Sequence, residues 1–130
     1  VVAREVARAH PDLVAQVISY GTPVVGGPVY TIMGRRYSPE AIAHILDLVE
    51  QATQTPIPVP LTSIYSRQDA VVAWRASVDT QHEHTRHVEV RSTHAGLGLD
   101  ADVWLAVAHQ LVTAGPSGEV VEPACADLVT

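Results

Sequence analysis

The sequence predicts an α/β fold of about three parallel strands with flanking helices. Two observations carry this. Short apolar, β-branched runs alternate along the chain with stretches of helical periodicity, and that alternation implies parallel strands joined by right-handed crossovers. In addition, 47% of the 130 residues are hydrophobic, enough for one domain with one modest core.

The elements follow in order. Val1 to Ala9 reads as a helix with Val2, Val6 and Ala9 on one face, ended by His10-Pro11-Asp12. It has no capping residue and no polar lead-in, so the helix is expected to start upstream of Val1. The opening residues have no charged n-region and no apolar h-region. Val14 to Tyr20 is apolar and β-branched and is closed by Gly21, which predicts a buried strand. Thr22 to Tyr37 holds Pro23, Gly26, Gly27, Pro28 and Gly34 and reads as a loop too long for a simple connection. Ser38-Pro39-Glu40 is an N-cap followed by proline at the first helical position. Ala41, Ile42, Ile45, Leu48, Val49 and Ala52 then repeat at helical spacing. Thr55 to Pro60 is proline-rich and extended, and Leu61 to Tyr65 is a second buried strand. Val71 to Val78 reads as a short helix, Val88 to Val90 as a third strand, and Ala101 to Thr113 as a final helix capped by Asp100. Residues 1–114 therefore form the folded portion, and 115–130, with little periodicity, read as a flexible tail.

Charge and cysteine content narrow the partners. A net charge of −6 argues against nucleic acid, which needs a basic face. Arg35, Arg36, Arg86 and Arg91 lie in two separate places. Cys125 is the only cysteine, so no intrachain disulfide can form, which fits a reducing, cytoplasmic setting. No apolar run is long enough to span a bilayer. The expected partner is a small molecule.

In parallel sheets the chemistry sits just beyond the carboxyl ends of the strands. After the second predicted strand come Ser66-Arg67-Gln68-Asp69, and after the third come Ser92-Thr93-His94-Ala95-Gly96. One loop offers a carboxylate and the other an imidazole, separated by one crossover. A serine hydroxyl is a poor nucleophile until a base takes its proton, and imidazole is the usual base. A carboxylate on the other ring nitrogen fixes the tautomer and stabilises the imidazolium as it forms.

Four segments carry a family resemblance. Val59 to Val72, a strand ending in Tyr65-Ser66 with Asp69 before an apolar pair, resembles the acid segment of bacterial lipase- and esterase-like α/β-hydrolases. Glu89 to Gly98 resembles the surroundings of their histidine. Ala3 to Asp12 resembles the back of the helix after their nucleophile elbow, and Ile18 to Pro23 resembles the next strand with its Gly-Thr-Pro end. The resemblance runs from about Val1 to about Thr113, with the segments in the family's order. It implies a partial α/β-hydrolase fold, Asp69 as catalytic acid, His94 as catalytic base, a carboxylic ester as substrate, and no cofactor or metal. It also implies that residues from about 22 to 58 form a lid-like insertion, with Pro28, Val29, Tyr30, Ile32 and Met33 near an entrance.

The nucleophile departs from the pattern. No Gly-x-Ser-x-Gly occurs, and Gly115-Pro116-Ser117-Gly118 has the wrong spacing. By the family pattern the serine would lie roughly four residues before Val1, and the oxyanion hole would lie upstream with it. Ser63 and Ser66 are nucleophiles on paper only, since neither lies in an elbow. Trp74 and Trp104 read as core or interface aromatics.

Two alternatives stay open. One is a non-catalytic α/β interaction module. The other is a zinc-dependent hydrolase using His82, His84 and His87, whose H-x-H-x-x-H spacing can ligate zinc. Arg86 stands against it, because a cation beside a dication is unfavourable.

Overall fold

The computed structural model describes residues 2–82 and 84–113. It has one sheet of three parallel strands, β1 (Val17–Tyr20), β2 (Leu61–Ser66) and β3 (Thr85–Val90), in that spatial order. Among the described residues three α-helices accompany it: α1 (Val2–Ala9), α2 (Pro39–Thr53) and α3 (Ala101–Thr113). The predicted tail, with Cys125 and Ser117, lies outside the described residues.

Register explains the two cores. Val17 pairs with Leu61, and Leu61 with Thr85. Side chains alternate across a strand, so Leu61 and Ser63 face one side of the sheet while Ile64 and Ser66 face the other. On the first side Ala7 of α1 packs with Val17, Ile57 and Leu61. On the second side Val103 of α3 packs with Ile64, Val90 and Leu97. β2 is central and buried along most of its length, which is why its sequence shows no polar alternation.

The structure shifts several predicted boundaries. β1 starts at Val17 rather than Val14, because Pro11 opens a 3₁₀ turn (Pro11–Leu13) whose last bond is Val14 N–H to the Pro11 carbonyl, 3.4 Å. β3 starts at Thr85 rather than Val88. Its first half, Thr85-Arg86-His87, pairs in register with β2 yet is polar, as strands bordering solvent on one edge commonly are. The short helix predicted over 71–78 is only a 3₁₀ turn, Trp74–Ser77. Val71 and Val72 are held out of it, because the Val71 carbonyl accepts the Ile32 N–H and Val72 bridges to Thr31.

The stretch from 22 to 58 holds 3₁₀ turns at Gly27–Tyr30 and Ile32–Arg36, followed by α2. Ser38 caps α2 as predicted, its Oγ accepting from the Ala41 N–H at 3.2 Å. α2 packs on the Gly27–Tyr30 turn rather than on the sheet. Asp100 begins α3, its Oδ1 accepting from the Asp102 N–H at 2.9 Å.

Helix α1 departs from its apolar stripe. Val2 and Val6 are exposed, and the buried positions are Arg4 and Ala7. Ala7 lies beside Leu61 at the start of β2, whereas Arg4 reaches Asp79, which neighbours His87 and hence the Ser63 level of the sheet. The helix therefore runs antiparallel to the strands, and its first turn points towards their carboxyl ends. α3 also carries an outward apolar stripe, Trp104, Leu105, Leu111 and Val112, all exposed.

Candidate active site

The three strands release their chains at one edge. Gly21 follows β1 directly, Asp69 lies in the turn after β2, and His94 lies in the loop after β3. The Asp69 N–H donates to the Ser66 carbonyl at 3.3 Å, closing a tight turn. That turn carries the carboxylate back under the next residues. Its Oδ1 accepts from the Val71 and Val72 N–H groups, each at 2.8 Å. Its Oδ2 faces His94 Nδ1 at 2.8 Å.

The pair is asymmetric in exposure. The Asp69 side chain is 2% exposed and the His94 side chain 37%. A carboxylate only accepts hydrogen bonds, so Nδ1 of His94 carries the proton and donates it. In the neutral ring Nε2 then holds the lone pair, free to take a proton from a neighbour. The buried carboxylate gathers three donors, which satisfies it and fixes its orientation.

Gly21 completes the enclosure. Its φ is +53°, a left-handed conformation that side chains disfavour. A Cβ there would lie 2.7 Å from Leu97 Cδ1, 3.3 Å from His94 Nδ1 and 3.4 Å from Asp69 Oδ2. The backbone at the end of β1 thus backs directly onto the Asp69–His94 hydrogen bond, with no room for a side chain.

Ser63 and Ser66 are both buried and engaged with backbone groups. Ser63 Oγ donates to the Ser77 carbonyl at 2.6 Å. Ser66 Oγ accepts from the Gln68 and Ser92 N–H groups, each at 3.1 Å. Trp74 stacks on Tyr65 and has the Arg67 and Arg75 guanidinium groups over its ring, while Trp104 Nε1 donates to the Gly98 carbonyl.

The histidine cluster is drawn into a different arrangement. His82 Nδ1 faces Asp79 Oδ2 at 3.0 Å, and His87 Nε2 accepts from the Asp79 N–H at 2.9 Å. His84 is exposed. Among the described residues no three His, Cys, Asp or Glu side chains surround a common point.

Asp79 escaped the sequence reading, which saw only a crossover there. Its carboxylate is buried and bonded to the Arg4 guanidinium. Burial alone pushes its carboxyl up. The Gln81 N–H, the Arg4 guanidinium and His82 outweigh that and bring it from 3.8 down to about 2. A lone aspartate between Val78 and Thr80 carries no pattern that would reveal a partner on α1.

Two clefts flank these groups. One, about 390 Å³, runs from Asp69 and Val71 to Val29, Tyr30, Ile32 and Arg35. A larger one, about 620 Å³, lies at the opposite end of the strands, around Pro56 to Leu61 and His84. Segment 30–32 is tied to segment 71–73 by Ile32 N–H to the Val71 carbonyl, 2.8 Å, and Ala73 N–H to the Tyr30 carbonyl, 3.0 Å. Among the described residues, no helix is long and apolar enough to cross a membrane.

Comparison of the chain with protein-family models, curated proteins and solved structures finds no match.

Proposed function

We propose that this chain supplies the acid and base of a serine hydrolase of the α/β-hydrolase type acting on carboxylic esters, with the nucleophile contributed by sequence preceding Val1. The observation that carries the reading is the hydrogen bond from His94 Nδ1 to a buried Asp69 carboxylate, with the imidazole itself at the surface. In this reading Nε2 takes the proton of a serine hydroxyl as the serine attacks the ester carbonyl. Asp69 stabilises the imidazolium, which then gives the proton to the departing alcohol. Water repeats the cycle on the acyl-enzyme.

Two features support the placement of the nucleophile. Among the described residues β1 pairs only with β2, so its other edge is open beside Gly21, which touches the pair. α1 points its first turn towards the same end of the sheet, so a strand joined to α1 by a tight elbow would deliver a serine to the His94 side. The cleft between Asp69 and the Tyr30–Ile32 segment suits a substrate with an apolar acyl group, with the insertion over 22–58 as its lid.

The exposed stripe of α3 favours a second reading, a partner-binding α/β module without catalysis. A short-chain nitrophenyl ester separates the two. Full-length protein carrying an upstream Gly-x-Ser-x-Gly should hydrolyse it, and the 130-residue chain alone should not. Loss of the nucleophile from a triad removes about six orders of magnitude in turnover. In the full-length protein His94→Ala should cost a similar order, and Asp69→Asn about four orders. Wild-type rates in His94→Ala would end the hydrolase reading.

A further inference from the structure

The Asp69–His94 pair is held by two loops that leave different strands, and something must keep those loops in register. The backbone of the first loop is anchored at Ser66 and that of the second at Ser92. One side chain touches both. Ser66, the last residue of β2, is 1% exposed, and its Oγ accepts the Gln68 N–H and the Ser92 N–H, each at 3.1 Å. Gln68 adjoins Asp69, and Ser92 lies two residues before His94.

We propose that Ser66 is a positioning residue that pins the acid loop to the base loop and so sets the geometry of the Asp69–His94 hydrogen bond. The proposal rests on the triad reading for its functional meaning, though not for its test. Ser66 touches neither the carboxylate oxygens nor the imidazole, so it acts through the backbone. A hydroxyl suits the task because its oxygen has two lone pairs and can take both N–H groups at once. An alanine at this position would leave two N–H groups without their acceptor, and both loops would gain freedom relative to each other. The sheet register would survive, because β2 and β3 are still paired from Leu61–Thr85 to Ser66–Val90.

The test reads the hydrogen bond itself by proton NMR on the 130-residue chain or, if that does not fold alone, on the full-length protein. The His94 Nδ1 proton, donated to a buried carboxylate, should give a far-downfield signal, identified by its loss in Asp69→Asn. In Ser66→Ala that proton should exchange with water about tenfold faster, the expected consequence of losing one buried and one half-buried hydrogen bond. Amide exchange in the unmutated protein supplies a second reading that no folding failure can cloud. The Gln68 and Ser92 amides should exchange at least about tenfold more slowly than unprotected amides of the same sequence. An Nδ1 proton that exchanges at the wild-type rate in Ser66→Ala overturns the proposal. So do Gln68 and Ser92 amides that exchange at the unprotected rate. Failure to hydrolyse any ester would sink the hydrolase reading while leaving these readouts intact.

Discussion

Asp79→Asn should flatten the acid limb of the chain's stability. In the native protein burial pushes the Asp79 carboxyl up, but the Gln81 N–H, Arg4 and His82 pull it further down, to about 2 from an ordinary 3.8. A carboxyl that low favours the folded state by about 2 kcal/mol at neutral pH. Because the folded value is the depressed one, that contribution is complete above the unfolded value, from about pH 5 upwards. It is lost as the pH falls through 3.8 towards 2, where the folded form finally takes up its proton. Against a total stability of order 5–15 kcal/mol, such a loss is readily measured. Urea unfolding followed by circular dichroism at intervals between pH 6 and pH 2 should show the wild-type midpoint falling through this window. Asp79→Asn should be less stable at pH 6, because Arg4 keeps a buried guanidinium without its counter-charge, a change that costs a few kcal/mol. It should nonetheless lose less between pH 5 and pH 2, and that difference in slope is the signature. Glu40, whose carboxyl is also lowered by its own N–H and by Ser38, is present in both proteins and cancels. Parallel acid limbs for the two proteins would refute the reasoning.

Three further outcomes are expected. Gly21→Ala should destabilise the chain by about 1–2 kcal/mol from the left-handed backbone alone, and should shift the His94 ring resonances because its Cβ presses on Leu97 and Nδ1; unchanged resonances would show that the strand end does not contact the pair. Ile64→Ala, at a position with no exposed surface in the centre of the second core, should cost about 2–5 kcal/mol in urea unfolding, whereas Leu105→Ala on the exposed stripe should cost under about 0.5 kcal/mol in the same chain. Zinc should not bind tightly, because His82 Nδ1 is turned to the Asp79 carboxylate and His87 Nε2 to the Asp79 N–H; one zinc bound per chain and lost in His82→Ala with His84→Ala would contradict this.

Much of the architecture was legible because it rests on local chemistry. Ser38-Pro39 announced a helix start through a cap and a fixed φ, and the Ser38 Oγ bond to Ala41 is that mechanism at work. β2 was legible because a buried parallel strand is apolar or small on both faces. Two of the misplaced boundaries share a cause, which is backbone bonds made to distant residues. Val71 and Val72 follow a capping carboxylate, but the Val71 carbonyl is taken by the Ile32 N–H and the Ala73 N–H goes to the Tyr30 carbonyl, so the segment pairs with the 30–32 stretch instead of coiling. Thr85 to His87 looked like a polar loop, and only pairing with β2 makes them strand.

The two buried aspartates show why sequence reading of the site was partial. Asp69 could be singled out because its meaning is relational along the chain: it follows a strand at the same edge as His94, in an order that hydrolytic chemistry uses. The structure brings the two within 2.8 Å. Asp79 has similar burial and as many partners, yet its charged partner is Arg4, on a helix at the other end of the chain. No periodicity links an arginine on α1 to an aspartate in a crossover. Arg4 sits where the helix repeat leaves a gap between Val2 and Val6, a position that reads as solvent-facing until the carboxylate is in place. Its burial inverts the expected face of α1, turning the valines outward. An ion pair between segments far apart in the chain is therefore invisible to hydrophobic patterning, whereas an aspartate–histidine pair set on neighbouring strand ends is not. The same contrast explains Ser66, whose position at the end of β2 could be read, but whose two N–H partners depend on the fold that brings Ser92 alongside it.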